Sequence, residues 1–489
     1  MADQKPIAQQ TVKALSWQLL YSNYAKKLGP AGWKKLVEET GAPDFRHMNS
    51  DEDCPMSPFN AAVQYIDRVV GKGDGALIVE ITHASVVSWA RIFKNLVNQL
   101  QSRPQKMLEI FCTEVHPYFL NDPRASTIIK SAPDEFILRL DNGLLEEFKI
   151  GLIQGFVEIV GAKPFIRKNA DGTYHVRWEI LQAAPQPSRF ALLINATRAP
   201  FLTATAVPVL LGTAIAWKDG FISFSLFLLT LIGVAAFHIG ANIINDYFDH
   251  TAGVDEANFT PTPFSGGSRV IQRGLLTARG VLALASTFYA LGILIGLYLA
   301  ATRGLEILAI GVVGFLVGFI YTAPPIRLAH RGLGELAVAL GFGPVIVVGT
   351  YFVQARQFSL EALYASLPVA LLIAAVLYIN EFPDRPWDAR AGKKTLVVRL
   401  PIDVALNAYR VMIGATYAVI VLGVVLRILP LTILVAVLTI PLAWSAIKVL
   451  RKNYAFPYRL IPANANTIFT HLLTGLLMFY GYVIAGLLR

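Results

Sequence analysis

The sequence is poor in charge, in cysteine and, over its second part, in acid. Of its 489 residues 16% are Asp, Glu, Lys or Arg, whereas soluble globular domains carry roughly 25%, so a wholly water-soluble chain is excluded. The two cysteines, Cys54 and Cys112, stand in no metal-ligand spacing, which argues against a disulfide framework and a cysteine-based zinc site. The opening residues, MADQKPIAQQ, have no apolar run behind a basic start, so no cleavable signal peptide is expected. Residues 189–489 hold only 12 acidic residues against 22 basic ones, while residues 1–188 balance 21 against 21. The whole net charge of +10 therefore belongs to the second part. These patterns predict a soluble α+β domain over 1–182, a linker over 183–188 and an all-α membrane bundle over 189–489. No nucleic-acid partner is expected.

What is abundant is apolar sequence in runs long enough to cross ~30 Å of hydrocarbon. About nine spans are expected, near 192–217, 221–247, 278–301, 304–322, 333–355, 361–382, 404–426, 428–449 and 465–488. Seventeen Lys and Arg residues fall on the side shared with the soluble domain and five on the other. By the positive-inside rule the first side is cytoplasmic, which predicts a multi-pass protein of the cell (inner) membrane with its C-terminus outside. In the soluble part, helices are expected near 9–28, 58–71, 84–101, 106–119 and 144–161, with strands over 135–140 and on both sides of an Asp171-Gly172 turn.

The acids of the membrane part are concentrated. Seven of the twelve lie in two short segments: Asp246, Asp249, Asp255 and Glu256 after the second span, and Glu381, Asp384 and Asp388 after the sixth. Both segments follow an Asn at an apolar helix end, Asn245 and Asn380, and an even span separation brings both to one membrane face. Asn245 and Asp249 share a helix face, as do Asn380, Asp384 and Asp388. Pro383 and Pro386 argue that the second helix bends or ends there. Clustered carboxylates beside hydrocarbon repel one another, and hard divalent cations relieve that. Mg²⁺ takes one or two carboxylates together with water and substrate phosphates, so two facing clusters suit Mg²⁺ and a diphosphate. Solvated loop acids, or the buried acids of a transporter, are the competing readings; clustering at one face rather than mid-span disfavours the transporter. Arg269 and Arg273 in SGGSRVIQRG, Arg327 in YTAPPIRLAHR and Lys393-Lys394 in GKKT supply cations for a diphosphate. Gly266-Gly267 allows backbone amides to approach a phosphate.

The segments RAPFLTATAVPVLLG (198–212), NIINDYFDHTAGVD (242–255), GGSRVIQRGLLT (266–277), GFIYTAPPIRLAHRGLGE (318–335) and NEFPDRPWDARAGKKTLVVRL (380–400) resemble the UbiA superfamily of intramembrane prenyltransferases. NDYFD and GFGPVIVVGTYFVQ (341–354) are most similar to its menaquinone branch, the 1,4-dihydroxy-2-naphthoate prenyltransferases. The resemblance implies nine transmembrane helices and transfer of a polyprenyl group from an isoprenyl diphosphate to a lipophilic aromatic acceptor, with membrane lipid around the bundle. It implies Mg²⁺ on Asp246, Asp249, Asp255, Asp384 and Asp388. Asp249, Asp384, Asp388, Arg269 and Lys394 are the candidate catalytic residues. Asn245, Arg198, Arg273, Tyr321, Arg327, Asn380 and Lys393 are the candidate substrate contacts. Two departures stand out: Asp255 is displaced by two residues from the family's first motif, and Pro383 replaces the Arg usual in the second. The acceptor therefore stays open among a dihydroxynaphthoate, another quinone precursor, a chlorophyllide or a glyceryl lipid, and a non-catalytic sensor-coupled transporter or lipid-binding protein is the rival class.

Residues 115–168 are similar to the haem-NO-binding and 4-vinyl-reductase-type sensor fold. His116 falls near the iron ligand of its haem-binding members. The Tyr-x-Ser-x-Arg motif is replaced by Arg139-Leu140-Asp141-Asn142, and the cysteine cluster is absent. The expectation is a cofactor-free regulatory or docking module rather than a haem domain.

Overall fold

The computed structural model describes residues 11–43, 52–92, 97, 100–120, 122, 124–141, 143–181, 188–258, 262–272, 274–455 and 457–488. The chain divides into two compact units, Met1–Gln186 and Pro187–Arg489.

In the first unit, helices Ala14–Thr40, Met56–Val70 and Ala76–Ile92 precede a helical stretch from Pro104 to Phe119. Pro104 starts that stretch at a position where its missing N–H is not needed, and Phe111–Val115 forms a π-helical turn within it. A four-stranded antiparallel sheet follows, its strands Thr127–Ser131, Glu135–Arg139, Tyr174–Ile180 and Ala162–Lys168 lying in that spatial order. Helix Glu146–Glu158 connects its second strand to Ala162–Lys168. The expected turn is present: Gly172 sits at φ +81°, and Asp171 Oδ1 accepts from Thr173 N and Oγ1 at 3.1 and 2.7 Å. Strand Thr127–Ser131 and the short pair Thr11–Lys13 with Asp53–Pro55 were not anticipated. The 127–131 strand is mostly exposed and carries little of the period-two apolar signal that marks a strand.

The second unit is helical. Among the described residues seven helices are long and apolar enough to cross a membrane: Phe224–Thr251, Ala278–Arg303, Gly334–Ala355, Leu360–Arg390, Ile402–Val425, Leu431–Asn453 and Ile461–Leu487. Two shorter helices, Thr203–Lys218 and Glu306–Ile320, occupy the remaining expected positions. The first expected span is broken at Arg198, which lies at φ +49° between helix Arg189–Thr197 and a 3₁₀ turn Ala199–Leu202. Pro383 and Pro386 do not end the 360–390 helix. Neighbouring helices supply the packing that lets a membrane helix carry proline.

Helix starts follow capping chemistry. Ser359 Oγ accepts from Ala362 N at 3.1 Å and Thr277 Oγ1 from Gly280 N at 3.1 Å, satisfying amides that the helix leaves open. Inside, Leu211, Ile215, Leu372, Ile379, Tyr409, Ile413, Met478 and Tyr482 belong to one buried cluster. Two of its tyrosine hydroxyls are paired, Tyr409 with Thr467 Oγ1 at 2.6 Å and Tyr417 with Thr439 Oγ1 at 2.8 Å, which lowers the cost of burying them away from water. At Gly212 a Cβ would stand 2.5 Å from the Val347 carbonyl oxygen, so these helices meet backbone to backbone. Outward-facing leucines are bare, Leu360 being 83% exposed.

At the end where helices 224–251 and 360–390 begin, a different set of bonds ties the bundle. Gln354 Oε1 accepts from Ser223 N at 2.8 Å while its Nε2 donates to Ser223 O at 3.1 Å. Arg303 donates to the carbonyls of Val353 and Gln354 at 2.7 and 2.8 Å. Lys218 pairs with Glu361, and Tyr351 Oη donates to Asp219 at 2.9 Å.

Candidate active site

The opposite ends of the 224–251 and 360–390 helices carry the two acidic segments, and the structure brings them together. Asn258 Nδ2 donates to Asp384 Oδ1 at 2.8 Å, and Lys393 Nζ reaches Asp249 Oδ2 at 3.1 Å. The loop after the first segment joins both: Gly266 N donates to Asp384 Oδ2 at 3.1 Å and Ser268 N to Asp246 Oδ1 at 3.3 Å. Asp388 lies in the electrostatic field of Lys393, Asp384 and Asp249. Asp255 faces Asp249 and Asp246. All five expected metal-binding aspartates thus belong to one group, on two helix ends and a short helix, Val254–Ala257.

Cations interleave with this group. The chain reversal at Arg198 directs its guanidinium to Asp246 and, at 3.4 Å, to Asn245 Oδ1. Asn245 Nδ2 is 3.5 Å from Asp249 Oδ2. Burial acts to lower the Lys393 ammonium, but Asp249 and Asp388 outweigh it and hold its pKa well above the usual range. Burial, reinforced by the Asp249 and Asp246 charges, drives the Asp255 carboxyl well above its ordinary value.

Several expected residues sit differently. The Arg269 guanidinium donates to the carbonyls of Asp255 and Asn258, so it braces the loop. Lys394 is exposed and its N–H donates to His330 O at 3.3 Å; among the described residues it is Lys393 whose ammonium meets Asp249. The reason is the turn at Gly392, φ +74°, after which Lys393 N donates back to Asp388 O at 2.8 Å. Tyr321 borders Lys393. Asn380 Oδ1 accepts from Asn464 Nδ2 at 2.7 Å, which pins helix 461–487 beside the site. Arg327, at φ +49°, is half-buried, and no contact between its guanidinium and the carboxylates is present among the described residues. Glu381 turns aside, accepting from Val397 N at 3.2 Å. Arg273 lies outside the described residues, as does the side chain of Glu256. Gly266 directs its amide at Asp384 rather than leaving it open. Two residues were missed: His330, whose Nε2 is 3.4 Å from Asp249 Oδ1, and Asn258. Neither repeats a pattern; both arrive through loops, where spacing carries no distance information.

The pattern of the UbiA prenyltransferase family matches residues 205–482, more than half of the chain. The chain belongs to this family. It is a multi-pass membrane protein and a prenyltransferase by that membership. A 1,4-dihydroxy-2-naphthoate octaprenyltransferase of Bacillus subtilis is 29% identical over 305 residues, covering 62% of this chain and 96% of that protein. The enzyme of the same name from Mycobacterium tuberculosis is 36% identical over 212 residues, 43% of this chain and 70% of that one. Among solved structures, a UbiA homologue from Archaeoglobus fulgidus bound to GPP and Mg²⁺ aligns with a TM-score of 0.45 at 16% identity, covering 60% of this chain and 99% of that chain.

The residues of this UbiA-family site suit a hard cation. Around it stand carboxylate oxygens, with one imidazole and no thiol, the donor set for Mg²⁺ rather than for zinc or copper. Asp246 Oδ2 is buried with no hydrogen-bond partner. Gly267, at φ +75°, leaves open the space where a Cβ would stand 3.0 Å from Asp255 Oδ1 and 3.3 Å from Asp246 Oδ1. Among the described residues no three acidic, histidine or cysteine side chains are grouped closely enough to hold a metal ion by themselves.

Proposed function

We propose that this protein transfers a polyprenyl group from an isoprenyl diphosphate to a lipophilic aromatic acceptor of the dihydroxynaphthoate kind, in menaquinone synthesis, and releases diphosphate. The observation that carries the reading is the meeting of both acidic segments through Asn258–Asp384 and Lys393–Asp249. The names of the Bacillus and Mycobacterium relatives support the acceptor.

Mg²⁺ held by Asp246, Asp249, Asp384 and Asp388 would supply charge neutralisation for the diphosphate leaving group. Asp255 sits close enough to complete the anionic wall. Arg198 and Lys393, already poised among the carboxylates, are the cations to meet the diphosphate oxygens, where negative charge grows as the allylic C–O bond breaks. Arg327 and Arg273 are further cations for the anionic donor. Arg269 holds the loop, and Lys394 draws the anionic donor toward the surface. Tyr321, Asn245 and Asn380 shape the walls. The bond electrons leave with diphosphate, an electron-rich ring carbon attacks the allylic cation, and the ring regains aromaticity by shedding the electrofuge at that carbon. An apolar bundle keeps water from quenching the cation. The charge asymmetry of the loops supports a cytoplasmic position for this face and an inner-membrane location.

Full-length protein in lipid nanodiscs, supplied with geranylgeranyl diphosphate, Mg²⁺ and 1,4-dihydroxy-2-naphthoate, is expected to release diphosphate and form a prenylated naphthol. Turnover only with another phenolic acceptor overturns the choice of acceptor. Silence with every acceptor overturns the transfer reading.

A further inference from the structure

The first unit contains a cavity that nothing in prenyl transfer uses. It is an apolar pocket lined by residues that include Phe59, Phe111, Phe148, Leu152, Phe156 and His116. Its walls come from five helical stretches of the unit, 14–40, 56–70, 76–92, 104–119 and 146–158, and from Val12, Leu120 and Leu144. Apart from His116, only Ser16 and Ser85 bring polar side chains to it, and no Asp, Glu, Lys or Arg is among its lining residues.

The aromatic walls are preset rather than collapsed. Phe111 and Phe156 pack with centroids 4.8 Å apart, Phe59 and Phe148 at 5.5 Å, so the rings that line the pocket brace one another in pairs. The π-helical turn Phe111–Val115 falls at this wall, and such departures from α geometry gather at functional sites. His116 Nδ1 is 3.2 Å from Ser126 Oγ, which itself donates to Cys112 O at 2.8 Å. The imidazole is buried and, with Lys149 adding to the effect, is held down to about 3, so it brings no positive charge to the cavity near neutral pH. Protein interiors normally close voids of this kind; one kept open and apolar takes an apolar guest.

We infer that this cavity binds a neutral isoprenoid lipid, its prenyl chain lying against the phenylalanine and leucine walls. Uncharged walls offer no counter-charge to haem propionates, to a fatty-acid carboxylate or to a diphosphate. The choice of an isoprenoid among neutral lipids rests on the proposed transfer reaction of the second unit; the cavity itself does not. Such a site makes the first unit a gauge of prenyl lipid attached to the enzyme that consumes or produces it.

Full-length protein in nanodiscs is irradiated with a diazirine-bearing farnesol, which lacks the diphosphate the transfer site requires, and the labelled peptides are identified by mass spectrometry. Label is expected on 104–119 and 146–158, and excess unlabelled farnesol is expected to suppress it. Ser85→Phe, which places a ring in the cavity from helix Ala76–Ile92, is expected to remove that label while leaving prenyl transfer intact. Leu152→Trp does the same from helix Glu146–Glu158 should the first variant misfold. Label confined to membrane helices, or cavity label displaced by palmitate or by haem rather than farnesol, overturns the proposal. Transfer is assayed on the same preparation: lost transfer with cavity label retained counts against the transfer reading alone.

Discussion

Gly267 separates the two costs that a side chain would bring to the acidic site. At φ +75° an alanine there is strained, by about 1–2 kcal/mol for the left-handed conformation. Its Cβ would also press on Asp255 at 3.0 and 3.2 Å and on Asp246 at 3.3 Å, so two carboxylates must each yield by a few tenths of an ångström. Displacement of about 1 Å in a reacting constellation costs on the order of a hundredfold in rate, so Gly267→Ala is expected to lower kcat on the order of tenfold and to raise the Mg²⁺ concentration for half-maximal activity. Gly274 provides the control. It shares the left-handed backbone, φ +65°, but a Cβ there meets nothing within 4 Å. Gly274→Ala should therefore show the same loss of local stability with unchanged kcat and Mg²⁺ dependence. Both variants are compared in nanodiscs by diphosphate release over a Mg²⁺ titration, with thermal unfolding alongside. Equal behaviour of the two, or wild-type Mg²⁺ dependence in Gly267→Ala, would show that the Asp246–Asp255 pair does not hold the cation.

Asp249→Asn and Asp384→Asn should each lower turnover by at least about a hundredfold, with unaltered elution and helix content; activity near wild type removes those aspartates from the metal role. Lys393→Met strips Asp249 of its ammonium, and an uncompensated buried charge costs about 3–5 kcal/mol, so a lower Tm and a higher KM for the isoprenyl diphosphate are expected, while Lys394→Met should leave Tm unchanged. His116 takes up a proton in the unfolded chain below its ordinary value of 6.5 but in the folded unit only near 3. The unfolded state binds more protons across that window, so stability falls as pH drops through it, by about 1.4 kcal/mol per pH unit. Hydrogen exchange of the 104–119 peptides should report that slope, and His116→Gln should flatten it; an unchanged slope would contradict a buried neutral imidazole.

The membrane architecture was legible because hydrocarbon thickness imposes one length on every crossing. The acidic site was legible for a related reason: carboxylates are so scarce in residues 189–489 that two clusters could not be incidental. What escaped was whatever depended on loop conformation. Nothing in the sequence announced that Arg198 would reverse the chain and clasp Asp246, or that Arg269 would spend its guanidinium on the carbonyls of Asp255 and Asn258. Lys393 and Lys394 are indistinguishable as letters, and only the turn at Gly392 tells which one faces Asp249. His330 reaches the site from a segment more than eighty residues beyond Asp249, a distance no local spacing encodes. The helix runs on through the prolines at 383 and 386, where tertiary packing in the bundle overrides local propensity.

The clasp formed by Ser223 with Gln354, Arg303 with two carbonyls, and Lys218 with Glu361 has a bearing on the cell beyond catalysis. A cluster of charges at one end of a membrane bundle would, if unsealed, be a half-built pore. Fastening the helices where they start would keep that far end shut while a long greasy donor enters at the aspartate end. Loosening those fasteners would be felt first as a leak of protons across the membrane, before any loss of product.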